Sequence, residues 1–462
     1  MEETAIAIKN PGEQQYVVFI LALAISLFPI GGLIGALIAG AMVDEYGRKG
    51  ALLINCFCSM VSSMFVVCAT VVQVPLFTMV SRFIIGITIG IFSTVIPLYL
   101  IEISPLNMRG AIGMLPHLFL AVGVLLAQIF SLPEMLGTKE DWPILTSVPG
   151  ILALFQTIVV PSFPESPRYL LIQKNDEEKT VLALQKLRHH EDVQEEIEEL
   201  QQEKMAEKAE KHMNTLKLLC FPSLRWQVIS VIILMCGQQL SGVNAVYFYT
   251  ERIYLSTKTD PSNVPYIRIA SSTAIITAVF VGVSLPYFRL IFCPLKSQSS
   301  VCSKGCSCAA NFSSSFVPAL RNTGRHLIPS HTLGASNSVL STLTSIFVID
   351  SLGRKFLLLL GFGTCTILCI VLTVNLELQV EYALWMSYAN VFLLNIFLMG
   401  HAIGPSKCSG ALPNLITAEI FLQSSRSSAY VVGGFVHWFL NFLSIMIFLN
   451  IEVSDSGGPW LF

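Results

Sequence analysis

The chain has 462 residues, of which 53% are hydrophobic and only 13% charged, with a mean hydropathy of +0.67 and a formal net charge of -2. That balance lies far outside the range of ordinary soluble domains and marks a polytopic membrane protein, with the lipid bilayer as its surroundings. The near-neutral charge, without basic clusters interleaved with aromatics, excludes nucleic acid as a partner.

In chain order, Met1-Glu2-Glu3-Thr4 lacks the basic start of a signal peptide, so the first apolar run reads as a spanning helix. Stretches of spanning length follow at about 17–43, 51–73, 76–100, 111–133, 144–162, 226–254, 355–375, 383–404 and 427–450. Residues 163–225 differ in character, being rich in Glu and Lys, and read as a soluble helical linker between an N-terminal half (1–162) and a C-terminal half (226–462). Its apolar positions Val181, Leu184, Leu187, Ile197 and Leu200 are spaced for amphipathic helices that dock on the membrane domain. Short loops carrying Arg48, Lys49, Arg109, Arg354, Lys355 and Arg426 lie on the cytoplasmic side by the positive-inside bias. That places the N-terminus outside and suggests a further helix upstream.

One spanning stretch is unusually polar. Gln238, Ser241 and Asn244, with Gln239 beside them, share one side of a helix and must face other helices or water. Uncharged amides carry both donors and acceptors and suit a neutral, hydroxyl-rich solute. Hydrogen bonding between membrane helices explains the stripe equally well.

The two halves repeat each other. Asp44-Glu-Tyr-Gly-Arg-Lys49 is matched by Asp350-Ser-Leu-Gly-Arg-Lys355, and Glu102 stands seven residues before Arg109 as Glu419 stands before Arg426. Such parallel repeats are the plan of major facilitator transporters, whose substrate sits at mid-depth between the halves.

Several motifs now occur together: Gly47-Arg48-Lys49, Ser81–Gly86, Pro97–Pro105 with Arg109-Gly110, Pro164-Glu-Ser-Pro-Arg168 and Gln238–Tyr247. In these the chain resembles the facilitative hexose transporters of the sugar-porter branch of the major facilitator superfamily. The resemblance implies an all-α fold of two pseudo-repeated six-helix halves, here lacking the first and last helices. His401–Ser406, Glu419–Arg426 and Gly433–Trp438 look most like the fructose-transporting class, in which two histidines replace a Glu and an Asn of glucose-selective members. On this resemblance the sugar is contacted by Gln128, Gln238, Gln239, Asn244, Asn414, His437 and Asn441, with His401 nearby. The duplicated charged motifs are expected to form a cytoplasmic gate of Asp44, Arg48, Glu102, Arg109, Asp350, Arg354, Glu419 and Arg426, in which Glu102 and Glu419 make partly hydrated pairs with the Gly-Arg-Lys arginines or with Arg109 and Arg426.

The resemblance fails over about 285–332, which reads as an irregular insertion, and Lys407-Cys-Ser-Gly410 interrupts the helix break between Pro405 and Pro413. Of two candidate spans before Asp350, only one fits the required odd number of crossings, and 330–349 is preferred over 267–290. Most of the twelve cysteines lie in apolar segments, and Cys302, Cys306 and Cys308 lack zinc spacing, so neither metal nor cofactor is expected. No nucleophile, base and oxyanion arrangement is present, and an enzyme is not expected. The expected function is uniport of hexose, fructose preferred, across the plasma membrane, with a proton-coupled symporter or a non-transporting sugar sensor or inert paralogue as alternatives.

Overall fold

The computed structural model describes residues 11–72, 74–105, 109–138, 141–209, 215–241, 354–379, 385–403, 411–421 and 423–454, with positions 243, 266 and 269. The described elements are helical. The first helical run, α1 (Pro11–Val72), joins the two spans expected at 17–43 and 51–73 through a break at Gly47, whose φ of 80° lies in the left-handed region. A side chain there would also strike Glu165 and the Tyr169 ring, so glycine is required twice over.

α2 (Pro75–Ile103), α3 (Arg109–Phe130) and α4 (Trp142–Val159) complete the described N-terminal half. Linker helices α5 (Glu177–Arg188), α6 (Gln194–Ala209) and α7 (Thr215–Cys220) follow. The second half contributes α8 (Arg225–Leu240), α9 (Arg354–Gln379), α10 (Trp385–Ile403), α11 (Ala411–Ile420) and α12 (Gln423–Ser454). These bounds fall within a few residues of the expected spans; of the stretch expected at 226–254, residues 242 and 244–254 lie outside the described residues. Asn244, Asp350, the candidate spans 267–290 and 330–349, and the 285–332 stretch lie outside the described residues.

Helices in a bilayer gain nothing from excluding water from each other and associate instead by close packing and interhelical hydrogen bonds. α1 and α2 do both. Gly31 and Gly35 on α1 face Gly86 and Gly90 on α2 so closely that a Cβ on any of them would collide with the opposite backbone. Asn55 Nδ2 donates to the Thr88 carbonyl at 2.9 Å, and the Ser62 and Ser81 hydroxyls each donate to the other's carbonyl at 2.9 Å.

The two halves meet along a seam of small residues. Gly40 lies against Val431, Ala36 against Gly434, and the Trp438 ring lies flat on Gly32 and edge-on to Phe28 at 5.8 Å. The seam runs from near the basic end of the helices toward mid-depth, ending beside the polar groups of α8.

The linker's apolar positions behave differently from expectation. Leu184, Ile197 and Leu200, with Leu171 and Val193, make a small core of their own, against which Val181 packs, instead of lying on the membrane helices. Contact with those helices is polar: Arg188 Nη1 donates to the Ile103 carbonyl at 3.1 Å, and Lys186 Nζ to the Ser162 carbonyl at 2.8 Å. Cations there complement the carbonyl-rich ends of the helices. Asp176 starts α5 by accepting from the Lys179 amide at 3.1 Å.

Gly35→Val should break the α1–α2 contact, at a cost of about 1–3 kcal/mol or more from forced separation of backbones. Thermal unfolding of the detergent-solubilised protein should show a lower midpoint, whereas Gly123→Ala, at a site with open space around it, should not move it.

Candidate functional site

Among the described residues, one polar centre lies at the basic end of the helices and another between the halves. The first is built on the break at Gly47. Arg48 Nε and Nη2 donate to the two Glu102 carboxylate oxygens, each at 2.7 Å, in the planar two-point geometry that only arginine offers. The pair is 2% and 0% exposed, so the partly hydrated pair expected from the sequence is in fact fully buried. The physical reason is the cover above it. The Tyr169 ring lies 5.0 Å from the guanidinium carbon, Ser166 Oγ donates to Glu102, and Nη1 donates to Gln173 Oε1 at 3.3 Å.

Tyr169–Gln173 is a single wide helical turn after the Pro164–Arg168 motif, and it brings these groups over the ion pair. Glu165 accepts from the backbone amides of Arg48 and Lys49 at 3.1–3.2 Å, capping the helix segment that restarts after Gly47. Asp44 accepts from Gln173 Nε2 at 3.4 Å. Arg109 and Arg354 stand at the first positions of α3 and α9, Glu419 lies within α11, and Arg426 Nη2 donates to the Phe421 carbonyl at 3.2 Å. Glu102 is thus joined to the N-terminal half and the linker.

The second centre lies between the halves. A narrow cleft is lined from α2 by Ser93 and Thr94, from α8 by Met235, from α11 by Asn414, and from α12 by Tyr430, His437 and Trp438 with Gly433 and Gly434. No lining residue carries a carboxylate or a permanent positive charge.

His437 joins this cleft to the polar stripe of α8. Gln239 Nε2 stands 2.8 Å from His437 Nδ1, and Gln238 Oε1 stands 3.1 Å from the same nitrogen, with all three side chains buried. One ring nitrogen either accepts or donates, so Nδ1 serves Gln239 in one tautomer and Gln238 in the other. The arrangement holds a buried polar cluster that can reassign its hydrogen bonds without moving a charge. Ser241 Oγ donates to the Gln238 carbonyl at 2.7 Å and closes the end of α8.

The remaining expected contacts are dispersed. Asn414 lines the cleft and is buried. Asn441, one turn after His437 on α12, is half-buried and outside the lining. Gln128, near the end of α3, is half-buried, and its buried Oε1 has no partner among the described residues. His401 is buried on α10 with its ring 6.4 Å from Phe397, and is also outside the lining. Ser93, Thr94, Tyr430 and Trp438 were not expected. Their signal lay in the sequence: two hydroxyls three and four residues before Pro97 in an apolar helix, and two aromatics flanking a Gly-Gly pair.

The model described as "Sugar (and other) transporter" matches residues 5–291 and 287–462. The chain belongs to the sugar transporter family. Solute carrier family 2, facilitated glucose transporter member 5, is 40% identical in both mouse and human over 441 residues, covering 96% of this chain and 74% of each relative. The corresponding member 7 of mouse is 37% identical over 438 residues, 95% of this chain and 72% of that relative. Among solved structures, the major facilitator proton:xylose symporter XylE bound to 6-bromo-6-deoxy-D-glucose matches with a TM-score of 0.66 at 16% identity, over 94% of this chain and 79% of that one. The partially occluded inward-open form from E. coli gives 0.62 at 15% identity, over 95% and 82%. At that identity the likeness establishes the major facilitator fold, with its two six-helix halves.

Arg48→Ala would leave Glu102 buried without its charge partner, a change of about 3–5 kcal/mol. Unfolding midpoints should fall sharply for Arg48→Ala and recover in large part in the double variant Arg48→Met, Glu102→Leu, because an apolar pair of similar volume carries no desolvation cost.

Proposed function

We propose that this sugar transporter family member is a facilitative carrier of hexose, fructose before glucose, that works without proton coupling at the plasma membrane, by rocking one half against the other. The observation that carries the reading is the buried cluster of Gln238, Gln239 and His437 beside an uncharged cleft between the halves. Amides and a neutral imidazole match the alternating donors and acceptors of sugar hydroxyls. A carboxylate would be the usual vehicle of a proton relay inside a membrane, and the cleft lining contains none. Fructose preference rests on His437 and His401, the two positions at which the chain resembles the fructose-transporting class.

The remaining assigned contacts, Gln128, Asn244, Asn414 and Asn441, would close around the sugar as the halves move. Asp44, Arg48, Glu102, Arg109, Asp350, Arg354, Glu419 and Arg426 would hold the basic end shut in the outward-facing state. The acidic linker 163–225 would then lie in the cytoplasm, against that end. The alternative of interhelical glue has a definite size: hydrogen bonds between membrane helices average only about 0.6 kcal/mol.

Gln239→Ala should therefore leave the unfolding midpoint and the amount of membrane-inserted protein nearly unchanged while reducing fructose flux into vesicles several-fold, since each hydroxyl–amide bond contributes about 0.5–1.5 kcal/mol net. Full fructose flux in Gln239→Ala would assign the cluster to packing alone. His437→Asn should shift the flux ratio from fructose toward glucose, and an unchanged ratio would remove the basis for the fructose assignment. Alkalinisation of the medium during sugar entry would replace uniport by proton symport, and equilibrium binding without flux would make the protein a sensor.

A further inference from the structure

Tyr430 belongs by sequence to the second half and by packing to the first. Of the nine buried residues in an apolar cluster at the basic end of the N-terminal half, eight come from α1 and α2, among them Ala39, Val43, Ile91, Val95 and Leu98. The ninth is Tyr430 from α12, which is 3% exposed. The same side chain borders the cleft, and its hydroxyl donates to the backbone carbonyl of Asn414 at 3.0 Å. Asn414 presents its side chain to that cleft directly after Pro413, at the start of α11. One residue therefore touches three things at once: the seam between the halves, the wall of the cleft and the main chain that aims Asn414.

The ring can occupy the N-terminal half's core only while the halves are together at the basic end. If that end opens, the ring must leave, and an aromatic side chain that withdraws leaves a cavity in one half and exposes its own apolar surface. The hydroxyl bond to Asn414 lies wholly within the second half and crosses no interface, so it links the position of the ring to the position of α11. Packed interfaces of this kind are bistable, not continuously deformable, which makes a ring-in and ring-out pair of states the natural description.

We propose that Tyr430 is a positioning residue that couples the sugar cleft to closure of the seam: its ring plugs the N-terminal half's core in the closed state, and its hydroxyl holds Asn414 toward the sugar in that state. The inference rests on the cleft being the sugar site, but only for its second part. The plug is a property of the protein without sugar.

Two variants separate these parts. Tyr430→Phe retains the plug and loses the hydroxyl bond, so the KM for fructose flux should rise about two- to tenfold, the equivalent of one net hydrogen bond, with the maximal rate unchanged. Tyr430→Ala removes the plug. In full-length protein depleted of native cysteines and carrying Ala39→Cys, it should increase sugar-free labelling by an impermeant maleimide from the basic side at least several-fold, while Tyr430→Phe labels like the parent. Equal labelling of Tyr430→Ala and the parent, with both inserted in equal amount, would overturn the plug. An unchanged KM in Tyr430→Phe, where Gln239→Ala does lower flux, would overturn the coupling to Asn414. Loss of the cleft reading itself would be seen separately, as full flux in Gln239→Ala.

Discussion

The buried ion pair of Arg48 and Glu102 is the constraint around which the described N-terminal half and its linker are arranged. Two charges at 2% and 0% exposure survive only if every remaining hydrogen-bonding position is filled, and each neighbouring element supplies a filler. The break at Gly47 turns Arg48 inward, the end of α2 carries Glu102, and the Pro164–Arg168 segment delivers Ser166 and the turn holding Tyr169 and Gln173. Glu165 then satisfies the backbone amides that the break itself exposes. Removing any one of these leaves a buried charge or amide without a partner, which ties the linker to the membrane helices more firmly than its apolar residues do.

That rigidity at one end contrasts with the seam between the halves. Across the seam, Gly40, Ala36 and Gly32 pack in van der Waals contact against Val431, Gly434 and Trp438. Within α1–α2 the same kind of glycine packing is reinforced by Asn55, Ser62 and Ser81. Contacts made without directional bonds can be broken and remade as a unit, while those with them hold a half together. On the proposed function, the close packing of small residues at the seam is the interface that opens in alternating access, and the hydrogen-bonded α1–α2 pair belongs to a body that moves whole.

The cleft sits where these two regimes meet. His437 and Tyr430 lie on α12, the helix that forms the seam, and the amides of Gln238 and Gln239 lie on α8 behind it. A neutral cluster there adds no charge to be moved through the bilayer, so its rearrangement depends on hydrogen bonds of modest strength and not on the far larger cost of displacing an ion. On the proposed function, sugar binding and seam closure act on the same helix, and each biases the other by no more than its differential affinity for the two states.

The sequence by itself determined the helices, the basic end, the repeat of the two halves and the polar side of α8, because each of these follows from hydropathy, charge or a 3.6-residue period along one segment. It also carried the motifs that identify the family, since Gly47, Glu102, Glu165 and Arg168 occupy fixed places in the chain. Only the tertiary structure decided which faces meet. It joined Gln238 and Gln239 to His437, brought Asn414 to the cleft and left His401 outside it, buried an ion pair that was expected to be hydrated, and gave the linker a core of its own. It also placed Tyr430 in the opposite half. The reason is physical: periodicity fixes which residues share one side of a helix, but the partner of that side is selected by the backbone approach that glycine and alanine permit, and that is a property of two segments distant in sequence.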